Sequence, residues 1–142
     1  MIIQCIVNSF RSQMLQAQHN LLTDTLKIAL YTGNATLGPM TTAYTATGEA
    51  SGAGYVAGGI VLTGTTINIG TETQTTPAVV YVNFNNAVFN AAVTARGALI
   101  YNSSNANKAI AVIDFGGDKS STTTFTVTMP TNTSTSALLR FP

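Results

Sequence analysis

Two apolar runs joined by a polar connection constrain this chain more than any other feature. Thr94–Tyr101 and Lys108–Phe115 flank the polar stretch Asn102–Asn107. Both runs are apolar at successive positions, with charge or glycine only toward their edges. That pattern predicts a β-hairpin buried on both faces, because a half-solvated strand alternates instead. Leu99, Tyr101, Ile110, Val112 and Phe115 are expected in its core.

The rest reads as shorter strands packed on that hairpin. Leu26, Ile28 and Leu30 alternate within Thr25–Tyr31. Tyr55–Thr63 is predicted as a strand bent at Gly58–Gly59, followed by Thr65–Ile69 and then, after Pro77, by Ala78–Phe84. Asn85–Ala92 reads as a connection whose Val88 and Phe89 plug the core. Gly116–Gly117–Asp118 is a turn signal. In Thr122–Met129, Phe125, Val127 and Met129 share one face and threonines the other, and Ser136–Phe141 is the last strand.

Ahead of the strands, Met1–Val7 is an apolar run that suits a strand or an arm docked on a neighbour. Met14, Leu15, Leu21 and Leu22 fall at helical spacing, predicting an amphipathic helix over Arg11–Leu22 capped by Ser9 or Ser12. Thr32–Gly54 has no strand or helix period, and a loop of that length is expected to be functional or laid against a partner. The expected fold is mainly β: an antiparallel β-sandwich or small barrel of about eight strands with one N-terminal helix. It forms a single domain over residues 1–142, with an arm and helix over residues 1–23.

Composition narrows the function. Only 8% of residues are charged and the net charge is +1, against about 25% charged in ordinary soluble domains. Such a surface suits a subunit covered by partners, although the many Thr, Ser and Asn side chains could also solubilise a monomer. Lys and Arg are scattered from Arg11 to Arg140 without a cluster, which argues against nucleic acid as a partner. The apolar start is too short to span a bilayer and lacks the marks of a signal peptide, so a cytoplasmic, membrane-free origin is expected.

No catalytic constellation is visible. His19 is the only histidine, predicted on the polar helix face with no framed nucleophile. Cys5 is the only cysteine and sits in an apolar run, where thiols are usually inert. Asp114 and Asp118 could share a calcium ion, but stabilising a turn through side-chain hydrogen bonds is the better reading. No metal or cofactor is therefore expected, and the chain does not read as an enzyme.

Four blocks carry a resemblance: DTLKIALYT (Asp24–Thr32), YTATGEASGAGYVAGG (Tyr44–Gly59), TARGALIYN (Thr94–Asn102) and AIAVIDFGGDK (Ala109–Lys119). Together and in this order they resemble a family of small virion structural proteins of tailed bacteriophages. The resemblance implies a part of the particle, foremost a capsid decoration or cement protein on the outer shell. A head–tail connector, tail or fibre-base component is the alternative, and a host-glycan-binding module, weakened by the absence of Trp, is a third. The implied partners are the major capsid protein or other virion proteins, with self-association as a dimer or trimer. The expected contact residues are Ile2 and Ile3 of the arm, Met14, Leu15 and Leu21 of the helix, and Leu37 and Met40 of the long loop, together with Tyr31, Tyr44 and Tyr55 around that loop. Ordinary strand-end packing accounts for the three tyrosines equally well.

Overall fold

A computed structural model describes all residues, 1–142. The fold is mainly β, antiparallel and β-sandwich-like, with one N-terminal helix. In chain order the elements are β1 (Cys5–Ile6), α1 (Asn8–Leu15), β2 (Leu26–Tyr31), β3 (Ile60–Val61), β4 (Thr66–Ile69) and β5 (Val80–Asn83). They continue with β6 (Ala87–Phe89), β7 (Thr94–Asn102), β8 (Lys108–Ser120), β9 (Phe125–Val127) and β10 (Leu139–Phe141). A five-stranded sheet runs β1-β8-β7-β2-β3, a three-stranded sheet runs β10-β5-β4, and β6 pairs with β9.

The expected hairpin is the middle of the large sheet. β7 pairs with β8 on one side and with β2 on the other, setting Leu99 opposite both Val112 and Ala29. Leu99, Tyr101, Ile110 and Val112 are buried, as the unbroken apolar runs require, while Phe115 is only half-buried. Phe115 lies where the pairing breaks. The register passes from Gly97↔Asp114 to Ala95↔Lys119, so Phe115–Asp118 stand opposite Arg96 alone. Gly116–Gly117–Asp118 is therefore a bulge inside a long β8 and not a turn. Gly116 takes φ 78° there, and Asp114 Oδ1 accepts the Gly116 N–H at 2.9 Å and the Arg96 Nε–H at 3.1 Å.

Other boundaries differ for local reasons. The helix is Asn8–Leu15 rather than Arg11–Leu22, its N-cap is Val7, and neither Ser9 nor Ser12 caps it. It ends because Ala17 turns left-handed (φ 56°) and the hairpin loop captures the next residue, with Asn105 Nδ2 donating to the Gln18 carbonyl. Leu22 is consequently exposed. Of Tyr55–Thr63 only Ile60–Val61 pairs as a strand, against Lys27 and Ile28. Asn85–Ala92 contains a strand, β6, whose Phe89 is buried and whose Val88 faces solvent. In β9 and its flanks, Phe125, Val127 and Met129 are buried and the threonines between them are exposed.

Candidate functional site

The sequence leaves Met1–Val7 open as a strand, which Cys5–Ile6 forms, or as an arm docked on a neighbour, and expects Thr32–Gly54 to be functional or laid against a partner. Both segments are built into the molecule. The Met1 ammonium donates to the Ala35 carbonyl at 2.8 Å. Ile3 N–H donates to the Leu37 carbonyl at 2.9 Å, and Leu37 N–H donates to the Met1 carbonyl at 3.0 Å. Ile2 thereby forms a parallel bridge to Leu37, and both side chains are buried. Further along, Asn8 N–H donates to the Pro39 carbonyl at 2.9 Å, tying the start of α1 to the same loop.

The later half of the loop closes on one carboxylate. Glu49 accepts from Tyr44 Oη at 2.6 Å, from Tyr55 Oη at 2.8 Å and from the Gly58 N–H at 2.7 Å. Tyr55 Oη also accepts the Leu30 N–H at 2.9 Å, and Tyr101 Oη donates to the Gly58 carbonyl at 2.6 Å. Tyr31 Oη donates to the Thr45 carbonyl at 2.6 Å, and the Tyr44 ring stacks on that of Tyr101 with centroids 5.0 Å apart. The backbone lies so close to β2 that a Cβ at Gly59 (φ 77°) would collide with the Ile28 carbonyl oxygen. The block Tyr44–Gly59 is thus a clamp that fastens the loop to the large sheet. Burial, reinforced by the Glu49 charge, pushes the Tyr44 hydroxyl up to about 12. Burial likewise raises Tyr31, Tyr55 and Tyr101. All four hydroxyls stay protonated near neutral pH, so they serve as donors and not as bases.

These contacts sort the expected interface residues. Tyr31, Leu37, Ile2 and Leu21 are buried in their own subunit and are not contact surface: Tyr31 and Leu37 are held by β2 and the arm, and Leu21 by the turn after the helix. Met14, Tyr44 and Tyr55 are half-buried and pack against the core. Ile3, Met40 and Leu15 remain outside, at 47%, 82% and 91% exposure. Ile3 and Met40, with Met1, line one shallow depression of about 480 Å³ together with Pro39. Leu15 stands apart at the end of α1. Glu49 carries no motif of its own in the sequence. The tyrosines spaced around it were the available signal.

Two further polar positions have internal roles. His19 is not a free surface histidine. Asn102 Nδ2 donates to Asp24 Oδ2 at 2.7 Å and lies 3.0 Å from His19 Nδ1. Asn102 Oδ1 accepts the Ser104 N–H at 3.0 Å, which fixes the amide orientation. An amide nitrogen can only donate, so His19 Nδ1 is the acceptor and its Nε2–H donates to Gln13 Oε1 at 2.9 Å. Burial, with Lys108 nearby, depresses the histidine pKa. Asp114 stabilises the β8 bulge, and no three His, Cys, Asp or Glu side chains gather at one place.

No protein-family model matches the chain, and neither does any curated protein or solved structure. No helix is long and apolar enough to cross a membrane.

Proposed function

We propose that this chain is a structural protein of a tailed-phage particle, a decoration or cement subunit that sits on the outside of the assembled head. The observation that carries the reading is the patch of Met1, Ile3 and Met40: large apolar side chains held at the surface by a rigid arm and loop. A side chain as apolar and exposed as Met40 gains by leaving water, and the arm and loop need no reordering to present it. The low charge and the resemblance of the four blocks support the same reading. A cement subunit works by mass action: it binds the assembled shell and not its free subunits, so its binding energy stabilises the assembly. That role requires a fixed surface and no chemistry.

The test places Ile3→Asp and Met40→Asp together in the phage. The variant protein is expected to stay folded in solution and to fall at least tenfold in purified particles, which should then break open at lower temperature. Full retention of the double variant on particles would overturn the assignment of this patch. A handful of copies per particle in the parent phage would favour a connector, tail or fibre-base component instead.

A further inference from the structure

The small sheet ends in an edge that lacks the usual protection. The large sheet is closed by β1 and β3, of two residues each, and the far side of the small sheet by β10, which carries the exposed Arg140. Short length and charge both blunt an edge. β4, on the free side of the small sheet, has four residues, an unbroken register, no charge and no proline. None of the chain's charged side chains falls between Ala50 and Thr71.

The direction of the free backbone groups follows from the register. Gly70 N–H donates to the Val79 carbonyl at 2.9 Å, and the same register sets Thr66 opposite Asn83 and Asn68 opposite Tyr81. In an antiparallel ladder the bonded pairs alternate. The N–H and C=O groups of Thr65, Ile67 and Ile69 therefore point away from β5, along the open edge. The Ile67 and Ile69 side chains lie on the same sheet face as their partners Val82 and Val80. Val82 is 2% exposed, while Ile67 and Ile69 are 42% and 67% exposed. The buried face of the sheet runs out at β4, leaving two isoleucines over the rim.

We propose that β4 is a self-pairing edge, and that its occupant is β4 of a second copy. The two strands run antiparallel about a twofold axis at Ile67, so Ile67 meets its own symmetry mate and Thr65 meets Ile69. Each opposed pair exchanges both backbone bonds, and the isoleucines of the two copies form one apolar strip on the shared face. Charge decides between occupants. The edge offers nothing to attract a charged partner, and two copies bring no like charges together at the seam. The outer edges of the joined sheet are then both β10, with Arg140, so the pairing closes at two instead of growing into a fibre. This inference goes beyond the decoration reading and does not depend on it: a monomer in solution would leave the particle experiments unchanged.

The purified full chain is measured by light scattering and sedimentation over a wide concentration range. Twice the monomer mass is expected, dropping to the monomer for Ile67→Lys, which sets two like charges face to face at the axis. Circular dichroism checks that this variant stays folded. In a Cys5→Ser background, Ile67→Cys should cross-link under mild oxidation. Directly opposed residues of a bonded pair lie about 5.5 Å apart at Cα, within disulfide range. Asn68→Cys, on the opposite face and out of register with its mate, should not. A monomer at every concentration overturns the proposal. So does a dimer indifferent to Ile67→Lys, or one that cross-links through residue 68 in preference to 67.

Discussion

The β7–β8 hairpin and the Tyr44–Gly59 clamp are equally well seated, and they are held by different physics. The hairpin is held by area: Leu99, Ile100, Ile110 and Val112 are removed from water on both faces of a central strand pair. The clamp has no apolar core of its own and lays its rings on the core beneath it, Tyr44 on Tyr101 and Tyr55 on Phe89. It is fixed by hydroxyl and amide donors converging on Glu49 and by glycine backbone lying against β2. One region resists a lost methylene poorly and a lost charge well. The other has the opposite sensitivity. A fold can therefore present a long irregular loop as a rigid surface without giving it a core of its own.

That contrast can be broken or sharpened by graded substitutions. Leu99→Ala should be the most costly, at about 2–4 kcal/mol in chemical denaturation, with Val112→Ala lower because fewer atoms are lost. Next comes Glu49→Gln, which withdraws a charged acceptor from two tyrosines and one amide. About 1–3 kcal/mol is expected, read as faster hydrogen exchange at the Gly58 amide with the β7–β8 amides unchanged. If both regions lost protection together, the clamp and the hairpin would be one cooperative unit and the contrast would fail. Tyr55→Phe should follow at about 1 kcal/mol, since it removes one donor to Glu49 and leaves the Leu30 N–H without its acceptor.

A smaller effect comes from acid. The folded state holds His19 neutral with its pKa depressed, so the unfolded chain takes up the proton first. The His19 contribution is present above the ordinary histidine value, about 6.5, and is lost as pH falls through it. A pH titration of stability should show this decline, and His19→Gln should flatten it. The smallest effect on stability is expected at Met40→Ser, within about 0.5 kcal/mol, because the side chain already stands in water.

The same division governs how much could be read from the residues. The hairpin, β2, β4 and β5 were legible because burial on one or two faces leaves a periodic or continuous apolar trace. The clamp left none: one glutamate, a few tyrosines and glycines that matter only for what their missing Cβ avoids. The N-terminal helix was overextended because Leu21 and Leu22 keep helical spacing after the chain has already turned at Ala17. At Gly116 a pair of glycines marked a bulge rather than a turn, and sequence does not distinguish an exit from a strand from a detour within it. Of the expected contact residues, Ile3, Leu15 and Met40 stand in solvent, whereas Ile2, Leu21, Tyr31 and Leu37 are internal. Apolarity alone does not say which side of a subunit a residue faces.

The central claim, a decoration subunit on the phage head, is tested most directly by counting. Quantitative mass spectrometry of purified particles gives the ratio of this protein to the major capsid protein. A ratio near one, or a simple fraction of it, is the result expected of a subunit that covers the shell. A dozen copies or fewer, or none at all, would contradict it.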